Sequence, residues 1–553
     1  MRIILLAFSV LMLGLSLPSM AQNKKEKVDY DAENLYNGRR GNIRYQKLID
    51  NVVFRFKKRD AIIYADSAYY YRQEGEMECY GKVRIVENDS INITSKKLVY
   101  RTQERLARLR EEVVYTDGEM ILYTDFLDYN TSSKSAHYFN GGNIVDGQNN
   151  LDSDRGTYYP NQNKMIFVGN VVLTNPDYIM ETDSLVYNTI TKEAITFGFT
   201  KSTSKDGMTL ETDHGMIYDA SSEESYVEEG QVETDSYLVT GDDMKYNRGT
   251  DSYSVIGNVF MLSKKDSVIV TGEEAYYDKA TGYTKVWGSP VMKKLMEADT
   301  FYMSADTLVA IDNEAQQENK MLAYHDVLIW KSDLQGIADS LCYDMADSMI
   351  YLYEDPLLWA QNTNQIEADS ISLLMANNTL DKMFLKRNSF IIMEDTLKNY
   401  NQIKGREMIA YFEGQNISMV DVNGNSESNY YALKQDNTLH GLNHTLCSNM
   451  KIFFEDNEPV NVRFYVQPEA SFYPPHTIEP EIEKLSGFNW RIEEKPTKAD
   501  VLAPRLAKID SLMLDSLSIE KPATPILLNL EEKESLEKEI PKGEEMQTIP
   551  MEQ

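Results

Sequence analysis

Cysteine is nearly missing from this chain: three residues in 553, Cys79, Cys342 and Cys447. An odd number at such wide spacing fits neither a zinc site nor a disulfide framework, so isolated thiols, buried as small apolar groups, are expected. Histidine is almost as scarce. His137, His214, His325, His440, His444 and His476 are scattered, and no Ser-His-Asp or metal-ligand spacing appears among them. His440 and His444 stand four apart, but in a Gly/Asn-rich stretch without helical pattern, which argues against a zinc helix. Basic residues are in deficit, with 56 Lys and Arg against 87 Asp and Glu and a net charge of −31, which argues against nucleic acid as a partner. The acidity is spread through the body, because residues 496–553 hold only 12 of the acids against 7 bases. A solvated face is its ordinary explanation. Paired acids such as Asp242-Asp243 and Glu273-Glu274 lack an ordered calcium loop, and acidic pairs are too common to single out a glycosidase dyad. No catalytic residue, metal or cofactor is therefore expected, and the reading is non-enzymatic.

Long apolar runs are missing after the first residues. Arg2, the apolar stretch Ile3 to Leu17 and the small residues around Ser19-Met20-Ala21 read as a signal peptide cleaved before Gln22. The run is shorter than the roughly 20 residues a spanning helix needs. Export to the periplasm follows.

What is present is repetition. An acidic or small residue, a short apolar stretch and a tyrosine recur at Tyr100, Tyr129, Tyr159, Tyr187, Tyr218, Tyr246 and Tyr277, in steps of 29, 30, 28, 31, 28 and 31. A second phrase alternates with it: a glycine before a β-branched strand, as in Gly81-Lys82-Val83-Arg84-Ile85, Gly169-Asn170-Val171-Val172-Leu173 and Gly257-Asn258-Val259-Phe260-Met261. Val83 and Ile85, Val171 and Leu173, Val259 and Met261, Leu98 and Tyr100, Leu185 and Tyr187, and Met244 and Tyr246 are each two apart, so each pair shares one face of a strand. A unit of about 30 residues cannot bury its own apolar face and must stack on its neighbours. The fold class read from this is all-β, a stack of antiparallel strands.

The alternation of Gly-Asn-Val with Thr182-Asp183-Ser184-Leu185-Val186-Tyr187-Asn188 and its weaker copies resembles the OstA-like family, over roughly residues 45–420. That family includes the periplasmic lipopolysaccharide-transport bridge protein and the N-terminal domain of the outer-membrane lipopolysaccharide translocon. The resemblance implies an elongated repeat β-jellyroll, a "β-taco" of two facing sheets with an apolar groove for the acyl chains of lipid A. It also implies partners: lipopolysaccharide, the inner- and outer-membrane transport components joined by end-to-end strand augmentation, and further copies by self-association. The chain departs from the family in being longer than the bridge protein and in having no membrane barrel after the repeats.

The expected organisation is a signal peptide over 1–21, a linker over 22–44, jellyroll segments over 45–200 and 201–429, a C-terminal β cap over 430–495 and an acidic tail over 496–553. An amphipathic helix is expected over 502–517. Groove candidates are Val83, Ile85, Leu98, Leu127, Val171, Leu173, Leu185, Met216, Met244, Val259 and Met261. The same alternation describes a packed sandwich core, so the pattern leaves groove and core open. The repeated tyrosines suit a half-buried β surface, with contacts to lipid or sugar as the alternative. A secreted carbohydrate-binding or adhesive β-repeat protein is the competing function.

Overall fold

The computed structural model describes residues 28–503, apart from 58–60, 88–89, 297–298, 314–315, 361–363, 377–378, 415 and 456–457. The expected signal peptide, most of the 502–517 helix and the tail from 504 onward lie outside the described residues. The chain divides into two compact units: residues up to Glu223 with Val227–Asp235, and Glu224–Tyr226 with Ser236 onward. This boundary lies C-terminal to the 200/201 junction expected from the sequence.

In unit 1, strand structure begins at Val28, inside the span read as a linker. β1 (Val28–Asp31) and β2 (Asn34–Arg40) pair with opposite halves of β3 (Ile43–Phe56). Then β4 (Ala61–Tyr71), β5 (Glu76–Glu87), β6 (Ile91–Arg101), β7 (Leu106–Asp117) and β8 (Met120–Asn130) follow as antiparallel neighbours in chain order. Every one of these ladders breaks register near its middle, between Ile49/Val52, Tyr64/Ser67, Tyr80/Val83, Thr94/Lys97 and Arg110/Val113. A bulge bends its strand and sharpens the local twist. Because the breaks align, the whole stack folds along one line into two half-sheets. Val52–Phe56, Val83–Glu87 and Val113–Asp117 lie in one, and Ser67–Tyr71, Lys97–Arg101 and Phe126–Asn130 lie in the other.

The corner has its own chemistry. On one strand the backbone enters the left-handed region, at Asp50 and Asn51, Gly81, Glu111 and Glu112, or Gly169 and Asn170. The facing strand supplies a carboxylate. Lys82 N donates to Asp66 Oδ2 at 3.0 Å, Glu112 N to Asp125 Oδ1 at 3.0 Å and Phe199 N to Asp183 Oδ2 at 3.2 Å. Asn170 and Asn258 donate side-chain N–H groups to Asp154 and Asp242 at 2.9 and 2.8 Å. A hydroxyl near the bend satisfies a carbonyl left free there: Ser95 Oγ donates to Lys97 O at 3.0 Å, and Thr124 Oγ1, one residue before Asp125, donates to Gly141 O at 2.7 Å. Such buried groups would otherwise be costly.

The half-sheets face each other across a core of residues such as Leu48, Ile63, Ile85, Ile93, Leu109 and Leu127. Phe56 meets Tyr100 with ring centroids 5.3 Å apart, and Tyr115 meets Tyr129 at 6.2 Å. The buried Tyr129 hydroxyl donates to Glu87 Oε2 at 2.8 Å, linking the two half-sheets. Each buried Leu or Ile here stabilises the unit by about 1.5–3 kcal/mol. Cys79 sits in this core, and burial pushes its thiol up to about 12. Cys447 is buried as well, whereas Cys342 is only partly covered.

Unit 2 repeats the plan with longer strands, ending in Thr379–Glu394, Tyr400–Glu413, Asn416–Leu433 and Leu439–Glu455. Where a β cap was expected over 430–495, the strands Glu458–Tyr465 and Glu469–Tyr473 add to Leu439–Glu455, and the chain then doubles back. Residues 474–503 form a strap across the face opposite the core, where Phe390 and Ile392 meet Leu485, Phe488 and Trp490. Buried amides on three strands of the sheet grip its backbone. Gln365 donates to Asn489 O at 2.7 Å and accepts from Arg491 N at 2.7 Å; Gln402 donates to Glu483 O at 2.7 Å and accepts from Leu485 N at 2.8 Å. Asn429 donates to Ile482 O at 2.7 Å. The strap closes on a short helix, Lys498–Leu502, capped by Thr497, with Lys498 over the Tyr302 ring.

Glu367 lies beside this strap. Burial raises its carboxyl to about 6, although Arg491 and the Gln365 amide favour its charged form and Asp355 opposes it. The native state therefore holds the proton more tightly than the unfolded chain, and this contribution to stability is present below about 4.5 and lost as pH rises toward 6. We expect Glu367→Gln to gain melting temperature relative to the parent between pH 4.5 and pH 7; a difference that stays constant across that range would rule the carboxyl out.

Candidate functional site

The space between the half-sheets is where the sequence placed its candidates, and the side chains that enter it follow from the period of two. In unit 1, Val83, Ile85, Leu98, Leu127, Val171 and Leu185 are buried in the core, while Leu173 and Met216 are partly buried against it. In unit 2, Met244 and Val259 are buried, and Met261 is half-buried. Leu98, Leu127 and Leu185 occupy one half-sheet and Val83, Ile85, Val171 and Leu173 the other, so the two phrases contribute opposite walls.

One tyrosine of the series, Tyr159, lies a residue away from the inward position. Register runs from Tyr129 to Ala136, Tyr158, Met165, Tyr187, Ala194 and Tyr218, so the inward tyrosine is Tyr158 and its neighbour Tyr159 points the other way. Adjacent tyrosines both fit a period near 30, and only the pairing distinguishes them. In unit 2 the equivalent column joins Tyr246, Tyr253 and Tyr277, with the first two rings stacked 4.5 Å apart. These tyrosines share the inward face with the aliphatic residues.

Burial along the column is graded. Tyr100 is 1 % exposed and Tyr129 0 %, whereas Tyr158, Met165, Tyr187 and Tyr218 are half-buried. Unit 2 shows its own gradient. Val239, Tyr246, Tyr253, Val270 and Tyr277 are half-buried, while Met303, Leu352, Ile371, Met408 and Met450 are fully covered. Each unit thus has a packed stretch and a stretch where apolar inward side chains still meet solvent. Burial also raises the Tyr246 and Tyr277 hydroxyls, so both stay neutral donors at physiological pH.

Two further groups of polar side chains shape the units. The corner acids Asp66, Asp154, Asp183 and Asp242 each stand 15 residues before the glycine they face, a fixed offset visible in the chain. Asp242 and Glu273, rather than their neighbours Asp243 and Glu274, hold the corner positions. The amides Gln365, Gln402 and Asn429 carry no local signal, because their partners lie 124, 81 and 53 residues away. Among the described residues no cluster of His, Cys, Asp and Glu has the arrangement of a metal site.

Bent ladders thus close on an apolar interior, with a corner built from the recurring Asp and Gly. Residues 27–183 match the OstA-like protein family. The matched stretch covers β1 to β8 whole and ends among the corner residues of the Thr182-Asp183 phrase. None of the curated proteins matches the chain. Among solved structures, the chain is similar to LptH from Pseudomonas aeruginosa, described as the LptA homologous periplasmic component of the conserved lipopolysaccharide transport device. That similarity has 12 % identity, covers 26 % of this chain and 84 % of the other, and has a TM-score of 0.14.

Proposed function

We propose that this protein is a non-enzymatic, periplasmic lipid-binding protein that shields the acyl chains of lipopolysaccharide between its half-sheets during transport to the outer membrane. The observation that carries the reading is the half-buried inward column in an OstA-like setting. Met165, Tyr187 and Met216 in unit 1, and Tyr246, Met261 and Val270 in unit 2, are apolar or amphipathic, face inward and remain reachable from solvent. Covering an acyl chain there removes hydrocarbon from water at about 0.8 kcal/mol per CH₂. A hydroxyl on each ring supplies a donor at the wet edge. Along the half-buried stretch of each column tyrosines recur, so successive sites there are alike and lipid can move between them.

The ends of the ladders support strand-to-strand partners. Among the described residues, β2 pairs with β3 alone, and Glu458–Tyr465 pairs only with Leu439–Glu455. The latter strand exposes Val460 and Val462, and free strand edges recruit further strands. Transport components of either membrane, or further copies of this chain, are the partners this reading calls for.

The test is photo-crosslinking of the full chain to lipopolysaccharide, with p-benzoylphenylalanine in place of Met216, Tyr246 or Ile179. Ile179 is apolar and 46 % exposed but lies on the outward face, beside the inward Met180. Adducts at 216 and 246, and at least tenfold fewer at 179, are expected. Equal labelling at all three positions would mean surface adsorption, and the reading would fall.

A further inference from the structure

We propose that the interior of unit 1 ends blind, at a small apolar cavity that seats the tip of a single linear acyl chain. This rests on the lipid-binding reading above. The cavity is lined by Tyr115, Ala136, Tyr138, Tyr158, Met165 and Phe167, among others, and no charged side chain lines it. Its wall therefore suits a neutral hydrocarbon and would penalise a phosphate or a sugar stripped of water. Its volume is about 20 Å³. A space of this kind needs roughly 10–15 Å³ to hold one water molecule, so it takes a group of methyl size and no passing chain.

What lies on either side gives the cavity a direction. Toward the N-terminus the gap is filled: Tyr115 meets Tyr129, Tyr129 is tied to Glu87, and Tyr100 packs on Phe56. Toward Met165, Tyr187 and Met216 the inward side chains are half-buried and the gap is reachable. A chain entering from that side advances along the tyrosine column and stops where the rings of Tyr115 and Tyr138 close the way. The first strands, up to about Tyr129, then act as a closed stopper and carry no lipid. Unit 1 holds its ligand end-on instead of passing it from one end to the other.

The experiment uses the full chain, lipid A as the probe, and p-benzoylphenylalanine in place of Tyr100, Tyr158 or Tyr187. Adducts are expected at 158 and 187, with at least a tenfold deficit at 100. Labelling at 100 equal to that at 158 would overturn the blind end while leaving lipid binding intact. Labelling at 187 without 158 would overturn the cavity as the seat. No adduct at any of the three would overturn the lipid-binding reading for unit 1 together with this proposal. Ala136→Leu gives a second route, by filling the cavity. It is expected to lower labelling at 158 several-fold and leave 187 unchanged, with circular dichroism confirming the fold; unchanged labelling at 158 counts against the proposal.

Discussion

Gly81→Ala is expected to destabilise unit 1 by about 3 kcal/mol, and Gly118→Ala by only about 1 kcal/mol. Both glycines have positive φ, +92° and +61°, so both substitutions force a side chain into backbone space that L residues disfavour. They differ in what the new Cβ meets. At Gly118 it meets nothing within 4 Å. At Gly81 it would lie 2.3 Å from Asp66 Oδ2 and 2.6 Å from Asp66 Cβ. Asp66 must move, and with it goes the bond that its carboxylate accepts from Lys82 N at the bend. The corner is shared by consecutive strands, so the loss spreads to both half-sheets. The four tryptophans, Trp287, Trp330, Trp359 and Trp490, all belong to unit 2 and are blind to this change. Hydrogen exchange in peptides spanning β5 and β6 is the appropriate readout. Equal loss of protection for the two variants would show that backbone conformation alone, without the Asp66 contact, governs the corner.

The Asp–Gly corner also shows what was legible and why. Strand identity was readable because Val83 and Ile85, or Leu185 and Tyr187, obey a period of two that only a pleated strand imposes. Stacking was readable because the phrases recur at nearly constant length. The bend was written in the chain as well, in the 15-residue offset from Asp66 to Gly81, Asp154 to Gly169, Asp183 to Gly198 and Asp242 to Gly257. Taken phrase by phrase, those acids merge into the general acidity that a solvated face explains. The separation of the sheets was not readable. Leu127 and Met216 belong to the same kind of phrase, yet one is fully buried and the other half-exposed. That difference depends on which residues from the opposite wall reach across, such as Tyr115 to Tyr129, and a strand pattern does not encode it. The strap was hidden for another reason: its contacts span more than 50 residues and rest on single amides without periodicity.

The strap yields the second large effect. Gln402→Leu is expected to destabilise unit 2 by about 3 kcal/mol, with loosening of residues 482–491 ahead of global unfolding. Gln402 is 0 % exposed, and its amide donates to Glu483 O and accepts from Leu485 N, so one side chain takes the place of a paired strand. Leucine keeps the volume but leaves that carbonyl and N–H facing an apolar group, at about 1–3 kcal/mol for each unsatisfied partner. Leu485 would then lose its seat against Phe390 and Ile392. Trp490 reports the event directly, since its ring sits 5.3 Å from Tyr400 within the strap contact. Its emission should shift to the red at lower urea than the loss of strand signal in circular dichroism. The double variant Gln402→Leu with Leu485→Ala should cost less than the sum of the two single changes, because both act by detaching the same segment. Strict additivity, or a Trp490 transition that still coincides with global unfolding, would mean that the amide ladder does not hold the strap and that the aromatic contacts of Phe488 and Trp490 carry it alone.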